Sequence, residues 1–271
     1  MRKAPDDSSE MVSQLLFGEH YTVLETAVSG TWLKVENYYD GYQGWISKNQ
    51  HYKIEDDYFE QINISDYKIC LDTTASILYK KNLITILMGS ILPISTNELF
   101  KMEEQLAFNG EAKSLSQRRD EEFLKKIALK YQYTPYLWGG RSPFGIDCSG
   151  FTQIVFKMCG FKLQRDSSQQ VQQGQVIDHY NEIQAGDLLF FRNVVSEVFH
   201  VGIAMDRNKV IHASGRVRVD ILIEDGIINE TTKRFTHKLV AIRRIIQTDD
   251  KKRVFDEERS DQDIKNRYIA G

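Results

Sequence analysis

Between Val12 and Ile54 short apolar clusters alternate with polar and glycine punctuation: Gln14–Glu19, Tyr21–Leu24, Thr31–Val35 and Asp40–Ile46. Clusters recurring about every 8 to 12 residues predict the short strands of a small β barrel, with Asp40-Gly41 as a hairpin turn. A second stretch repeats this style more loosely in Ile69–Leu71, Ala75–Tyr79, Leu83–Met88 and Ile91–Ile94, and predicts a second small β unit. The period then changes. Phe123, Ile127 and Tyr131 recur at i, i+4 and i+8, flanked by Leu124 and Ala128, which predicts an amphipathic helix starting near Ser114 or Ser116 and opening a third domain. The expected division is 1–56, 57–110 and 111–246, followed by a charged tail, 247–271, whose few apolar residues (Val254, Phe255, Ile264, Tyr268, Ile269) predict a solvated helix or loose end.

The segment Pro135–Phe151 is rich in glycine and aromatic residues up to Cys148, after which Phe151, Ile154, Val155 and Met158 take a helical pattern ending at Gly160, a suitable C′ glycine. Cys148 therefore opens a helix. The positive end of the helix and its unpaired N–H groups are expected to lower a thiol pKa there. The alternative is a buried cysteine packed as a small hydrophobe.

Asp187–Phe191, Phe199–Met205 and Lys209–Ala213 read as three consecutive strands, with His200 and His212 on the second and third. A two-residue turn at Arg207-Asn208 would pair His212 with Ile203 and send the two histidines to opposite faces. A three-residue loop, with Asn208 in the left-handed region, pairs His212 with Gly202 and leaves His200 a diagonal neighbour on the same face. Both could then serve one site, in the arrangement of a nucleophile, a base and a group orienting the base.

Composition narrows the classes. The chain has 271 residues, 41% hydrophobic and 27% charged with 4 Pro, enough for at least one packed core. Lys+Arg 35 against Asp+Glu 38 gives a net charge of −3 and argues against a nucleic-acid partner. No apolar run approaches the ~18 residues of a membrane span, and no signal core follows Met1, so a cytoplasmic protein is expected, or a periplasmic one if an export signal has been removed. Cys70, Cys148 and Cys159 are too few for a disulfide framework and offer no CxxC metal spacing. No metal or cofactor is expected.

Tyr136-Leu-Trp-Gly-Gly-Arg, Asp147-Cys-Ser-Gly-Phe151, Gly186–Phe191, His200-Val-Gly-Ile and Val210–Ser214 together resemble the NlpC-type family of papain-like cysteine peptidases, which cut bacterial cell-wall peptides. The resemblance implies an α+β fold, with a papain-like catalytic domain of helices packed on an antiparallel sheet preceded by two small SH3-like β barrels. It implies Cys148 as nucleophile, His200 as general base, His212 as the group orienting it, and Tyr136 beside the oxyanion site. The segments Arg2–Glu19 and Trp32–Trp45 are similar to the bacterial SH3-like domain of a subgroup resembling dipeptidyl-peptidase VI. Those enzymes hydrolyse the γ-D-glutamyl to diamino acid bond of small murein peptides with a free N-terminal L-Ala.

A peptide ammonium in a partly closed groove needs an anionic partner. Asp147 is expected to supply one, as is Asp166, which the resemblance assigns with Ser167 to substrate binding; Ser149 is a further candidate beside the nucleophile. By analogy with the subgroup, Glu10 and Tyr42 complete the pocket, with Glu19, Tyr38 and Trp45 as competitors. The expected protein is a monomeric hydrolase of murein peptides. Its rivals are an amidase or acyltransferase on the same scaffold and a non-catalytic wall-binding protein.

Overall fold

The computed structural model describes residues 1–79, 81–93, 107–192 and 198–247. The fold is mixed α/β with few helices. In the first unit β1 (Tyr21–Thr26), β2 (Trp32–Asn37) and β3 (Gln43–Ser47) form an antiparallel sheet. Alternation along β2 buries Leu33, Val35 and Asn37, and Leu33, Val35 and Ile46 make a small core. The β2–β3 turn uses Gly41 at φ +71°, and Asp40 Oδ1 accepts the Tyr42 N–H at 3.0 Å. Gln14–Glu19, expected as a strand, pairs with no strand. Its polar groups are turned to the third domain instead: Gln14 Oε1 accepts the Arg141 N–H at 2.7 Å and Gln14 O accepts Arg141 Nη1 at 2.6 Å.

The second unit opens with an unexpected helix, α1 (Asp56–Ile64), followed by β4 (Lys68–Cys70), β5 (Thr74–Tyr79), β6 (Asn82–Leu87), β7 (Ala107–Asn109) and β8 (Ala112–Ser114). Strands β6, β5 and β7 form one sheet and β4 pairs with β8. The β4–β8 pairing reaches past the expected boundary at residue 110. It also takes Ser114 as a strand residue, so α2 (Glu121–Lys130) starts later than expected, where Asp120 accepts the Phe123 N–H at 2.9 Å as its cap. The buried face of α2 and its C-cap is Leu124, Ile127, Ala128 and Tyr131, while Phe123, the first residue of the expected stripe, is only half-buried beside them.

In the third domain the loop after α2 carries a short ribbon, β9 (Arg141–Ser142) and β10 (Gly145–Ile146), and leads into α3 (Cys148–Met158), whose every residue is buried. After α4 (Ser167–Gln170) and β11 (Gln175–Val176) come β12 (Leu188–Arg192), β13 (Val198–Asp206), β14 (Lys209–Ser214), β15 (Arg216–Ile223), β16 (Gly226–Ile228) and β17 (Phe235–Arg244). All pair antiparallel, and β16 also pairs with β17, so the sheet closes on itself through β12 to β17. Helix α3 packs against β13 and β14, bringing its N-terminus to the two histidine-bearing strands. The charged tail from residue 248 onward lies outside the described residues.

One buried ion cluster joins the units. Glu19, on the seam segment of the first, accepts Arg141 Nη1 at 2.8 Å and Nη2 at 3.0 Å, and Lys157 Nζ of α3 at 2.9 Å; Lys157 also donates to Gly89 O of the second unit at 3.0 Å. All three charged side chains are fully buried. Burial pushes the Glu19 carboxyl up, but the Arg141 and Lys157 charges outweigh it and bring it down to about 2. Removing that anion strands two buried cations, so Glu19→Gln is expected to lower stability by about 3 to 5 kcal/mol, read as a shift of the urea midpoint at neutral pH. Because the folded-state pKa is depressed, this stabilisation is complete above the ordinary Glu range and is lost as pH falls toward 2; the wild-type and Glu19→Gln midpoints should converge in acid.

Candidate active site

Cys148 is the first residue of α3, and Asp147 is its N-cap. Asp147 Oδ1 accepts the Gly150 N–H at 2.7 Å, while Oδ2 accepts the Gly139 N–H at 2.8 Å and Arg165 Nη2 at 2.6 Å. One carboxylate thus ties the loop, the helix start and Arg165 together. This corrects the expectation that Asp147 anchors a substrate ammonium: both its oxygens are already occupied by donors, and the neighbouring guanidinium repels a second cation. Ser149 is drawn into the same cluster, its Oγ accepting Arg165 Nη1 at 2.9 Å. Gly150 meets the loop so closely that a Cβ there would lie 2.3 Å from Gly140 O. The glycines around Cys148 are therefore steric requirements of loop-to-helix contact.

The thiol is buried and lies 3.9 Å from Phe199 O, the residue before His200 on β13. Burial, and next the charge of Asp147, push it up to about 12. The expected lowering by the helix terminus is thus opposed by burial, which favours the neutral thiol. His200 Nε2 lies 2.7 Å from His212 Nδ1, and His212 Nε2 lies 3.0 Å from Asp220 Oδ2 on β15. Only Nδ1 of His200 remains free to act on a thiol. Burial, then the charges of His212, His237 and Arg218, hold His200 well below the ordinary histidine range, so the base is neutral.

The pairing of His212 with Gly202 is the register that puts both histidines on one face. It is reached differently from the expectation. Asp206 pairs with Lys209 across a two-residue turn, a bulge between Ala204 and Asp206 absorbs the extra residue, and Asn208 does not take a positive φ. Gly202 is needed because a Cβ there would sit 2.7 Å from Val210 Cγ2 and 3.0 Å from His212 Cβ.

Around this line the remaining candidates separate. Tyr136 is half-buried, and its hydroxyl is pushed up by burial and next by the neighbouring Cys148 and Asp147. Asp166 caps α4, which begins at Ser167, and lies beside Tyr42 of the first unit, each acting on the other's charge. Burial raises the Asp166 carboxyl and the Tyr42 hydroxyl, the latter to about 12. Glu10 is exposed and accepts Trp138 Nε1 from the loop before the nucleophile at 2.8 Å, along with Lys3 Nζ at 3.2 Å. The competitors are engaged elsewhere: Glu19 in the ion cluster, Tyr38 tilted against His20 with ring centroids 5.0 Å apart, and Trp45 in a backbone pair with Arg2.

Two residues were missed by sequence reasoning. Asp220 shares a face of β15 with Leu222, both buried, and a charged residue in that inward register was its available signal. His237 on β17 stacks on His200 with centroids 4.5 Å apart and closes one face of the base; its exposed, β-rich surroundings in sequence carried no signal. From a protonated thiol and a neutral base, alkylation of Cys148 by iodoacetamide is expected to accelerate steadily from about pH 6 to about pH 9. A rate already level at neutral pH would show a preformed thiolate–imidazolium pair.

Known proteins place this geometry. Residues 133–243 match the NlpC/P60 family and residues 1–50 the bacterial dipeptidyl-peptidase SH3 domain. The chain is 30% identical to the gamma-D-glutamyl-L-lysine dipeptidyl-peptidase of Bacillus subtilis, across 86% of this chain and 80% of that one. It is 28% identical to dipeptidyl-peptidase 6 of Lysinibacillus sphaericus, across 78% and 82%. Among solved structures, an NlpC/P60 family protein from Bacillus cereus superposes with TM-score 0.73 at 23% identity, covering 87% of this chain and 82% of that one. With the family match over residues 133–243 and a relative 30% identical over most of both chains, the chain belongs to the NlpC/P60 family of cysteine peptidases.

Proposed function

We propose that the protein hydrolyses the γ-D-glutamyl to diamino acid bond of small murein peptides bearing a free N-terminal L-Ala. The carrying observation is the meeting of Tyr42 and Asp166. Asp166 follows Arg165, which is bonded to the cap of the nucleophile's helix, and Tyr42 also feels Arg165 and Asp147, which supports a binding end shared by the first unit and the Cys148 helix. A half-buried carboxylate at that end suits a peptide ammonium, and an ammonium beside it would in turn favour the ionised carboxylate. The name of the Bacillus subtilis relative supports the same bond.

In this reading the thiol proton passes to His200 Nδ1 as Sγ bonds the γ-carbonyl carbon of D-Glu. The oxyanion is held by first-turn N–H groups. Gly150 N–H is taken by Asp147 Oδ1 and Phe151 N–H by Asp147 O, which leaves those of Cys148 and Ser149 for the oxygen, with Tyr136 beside them. The imidazolium gives its proton to the departing amine as the C–N bond breaks. Water, deprotonated by His200, then cleaves the thioester, releasing L-Ala-D-Glu and restoring the thiol. Asp166, Ser167, Tyr42 and Glu10 bind the peptide's N-terminal end, and Ser149 supports the site through Arg165. The three free cysteines, Cys70, Cys148 and Cys159, support placing this activity in a reducing, cytoplasmic setting of peptide recycling.

The test is mass spectrometry of the protein incubated with L-Ala-γ-D-Glu-diamino acid tripeptide and with its N-acetylated form. Release of L-Ala-D-Glu from the free-amine peptide alone is expected, and Cys148→Ala should abolish it. Equal cleavage of both forms would keep the peptidase and discard amine recognition, and cleavage of neither would favour a binding protein. Asp166→Asn is expected to reduce kcat/KM for the free-amine peptide about 10- to 100-fold, the value of a charge-assisted hydrogen bond.

A further inference from the structure

Asp220 is buried with its side chain 2% exposed, and three donors converge on it: His212 Nε2 at 3.0 Å and Arg218 Nε at 2.8 Å on Oδ2, and the Glu230 N–H at 3.0 Å on Oδ1. The β14–β15 register explains the convergence. His212 pairs with Arg218 and Val210 with Asp220, so alternation places His212, Arg218 and Asp220 on one face. Neither Asp220 nor Arg218 hydrogen-bonds His200, and neither belongs to the nucleophile–base–orienter set assigned above.

A carboxylate so surrounded has no proton to donate, so the His212 nitrogen facing it must carry one. Neutral His212 then has its lone pair on Nδ1, which faces His200 Nε2 at 2.7 Å. Two lone pairs cannot face each other there, so His200 carries its proton on Nε2 and its lone pair on Nδ1. That is the nitrogen left for the thiol. Without the carboxylate the opposite arrangement becomes available, with His212 protonated on Nδ1 and His200 on Nδ1, and a base protonated on its working nitrogen cannot accept from Cys148.

We infer that Asp220 is a positioning residue which, through His212, fixes the tautomer of His200 so that Nδ1 is the free base. The inference rests on the proposed role of His200 but is tested without substrate. Arg218 holds the carboxylate ionised from the open side, with its own side chain 25% exposed. His237 contacts His200 by ring stacking and His212 edge-on at 5.6 Å; in neither case does it set which nitrogen is protonated.

The experiment is nitrogen-15 NMR of the histidine side chains in the full chain carrying Cys148→Ala, near pH 7.5. Both His200 and His212 should report protonated Nε2 and bare Nδ1. Protonated Nδ1 on His200 in this otherwise unaltered site would overturn the inference with no further variant. Asp220→Leu keeps the volume and removes the acceptor, and Asp220→Ala is the second choice should Leu not fold. In either, the fixed tautomers should give way to a mixture. With Cys148 present, kcat should fall by at least about 10²-fold, the scale of general-base catalysis, with KM changed less than about 3-fold. Loss of kcat with both tautomers retained would make Asp220 a packing residue only and would overturn the inference. If wild-type protein leaves the tripeptide intact while the tautomers respond as expected, the substrate reading fails and the tautomer assignment stands.

Discussion

The structure turns on a buried anion, Glu19, clasped by Arg141 of the loop before the nucleophile and Lys157 of the nucleophile's helix. A charge taken out of water is costly unless every lone pair finds a donor, so this carboxylate tolerates only one arrangement of the segments around it. Those segments come from all three units, because Lys157 also reaches Gly89 O. The consequence is geometric. The first β unit cannot tilt away from the catalytic domain without breaking the cluster, and Tyr42 and Glu10 are therefore held against Asp166 and Trp138 rather than swinging on a linker.

A second carboxylate does for the helix start what Glu19 does for the units. Asp147 caps α3, receives the Gly139 N–H and binds Arg165, so the loop, the nucleophile and the segment leading to Asp166 move as one body. Asp166 itself is left with a lighter set of partners, Tyr42 and its own capping box. The division of labour between neighbouring acids follows from their donors. Saturated Asp147 supports; half-buried Asp166 is the acid that the proposed function gives to the ligand.

How much of this was legible depends on whether the signal was local. Cys148 at a helix start, the Leu124 to Tyr131 stripe and the strands of His200 and His212 are written in spacing, and spacing survives folding. The shared face of the two histidines was legible too, although a bulge rather than a left-handed Asn208 produced it. The strand expected at Gln14–Glu19 failed because its polar side chains have partners more than 120 residues away, at Arg141 and Lys157. Helix α1 failed for the opposite reason: it buries only Ile62 among its nine residues, too little for an apolar stripe to stand out. The reading of Asp147 missed its donors from Gly139 and Arg165, and the reading of the Cys148 thiol missed its burial, neither of which a short window of sequence reports.

Across the site, permanent charge and transferable protons are kept apart. Glu19 with Arg141 and Lys157, Asp147 with Arg165, and Asp220 with Arg218 are ion pairs whose charges stay in place. The two groups that exchange a proton in the proposed reaction, Cys148 and His200, are both buried, and burial favours the neutral form of each. Separating charge between them without a ligand would create a thiolate beside Asp147 and an imidazolium beside two other imidazoles and Arg218, an unfavourable move on either side. The arrival of a carbonyl changes the balance, because the electron pair then passes to an oxygen at the helix N-terminus, where N–H groups and the helix dipole favour it. In the proposed reaction, proton transfer is thereby coupled to the presence of substrate, with the fixed ion pairs holding the acceptor groups in place.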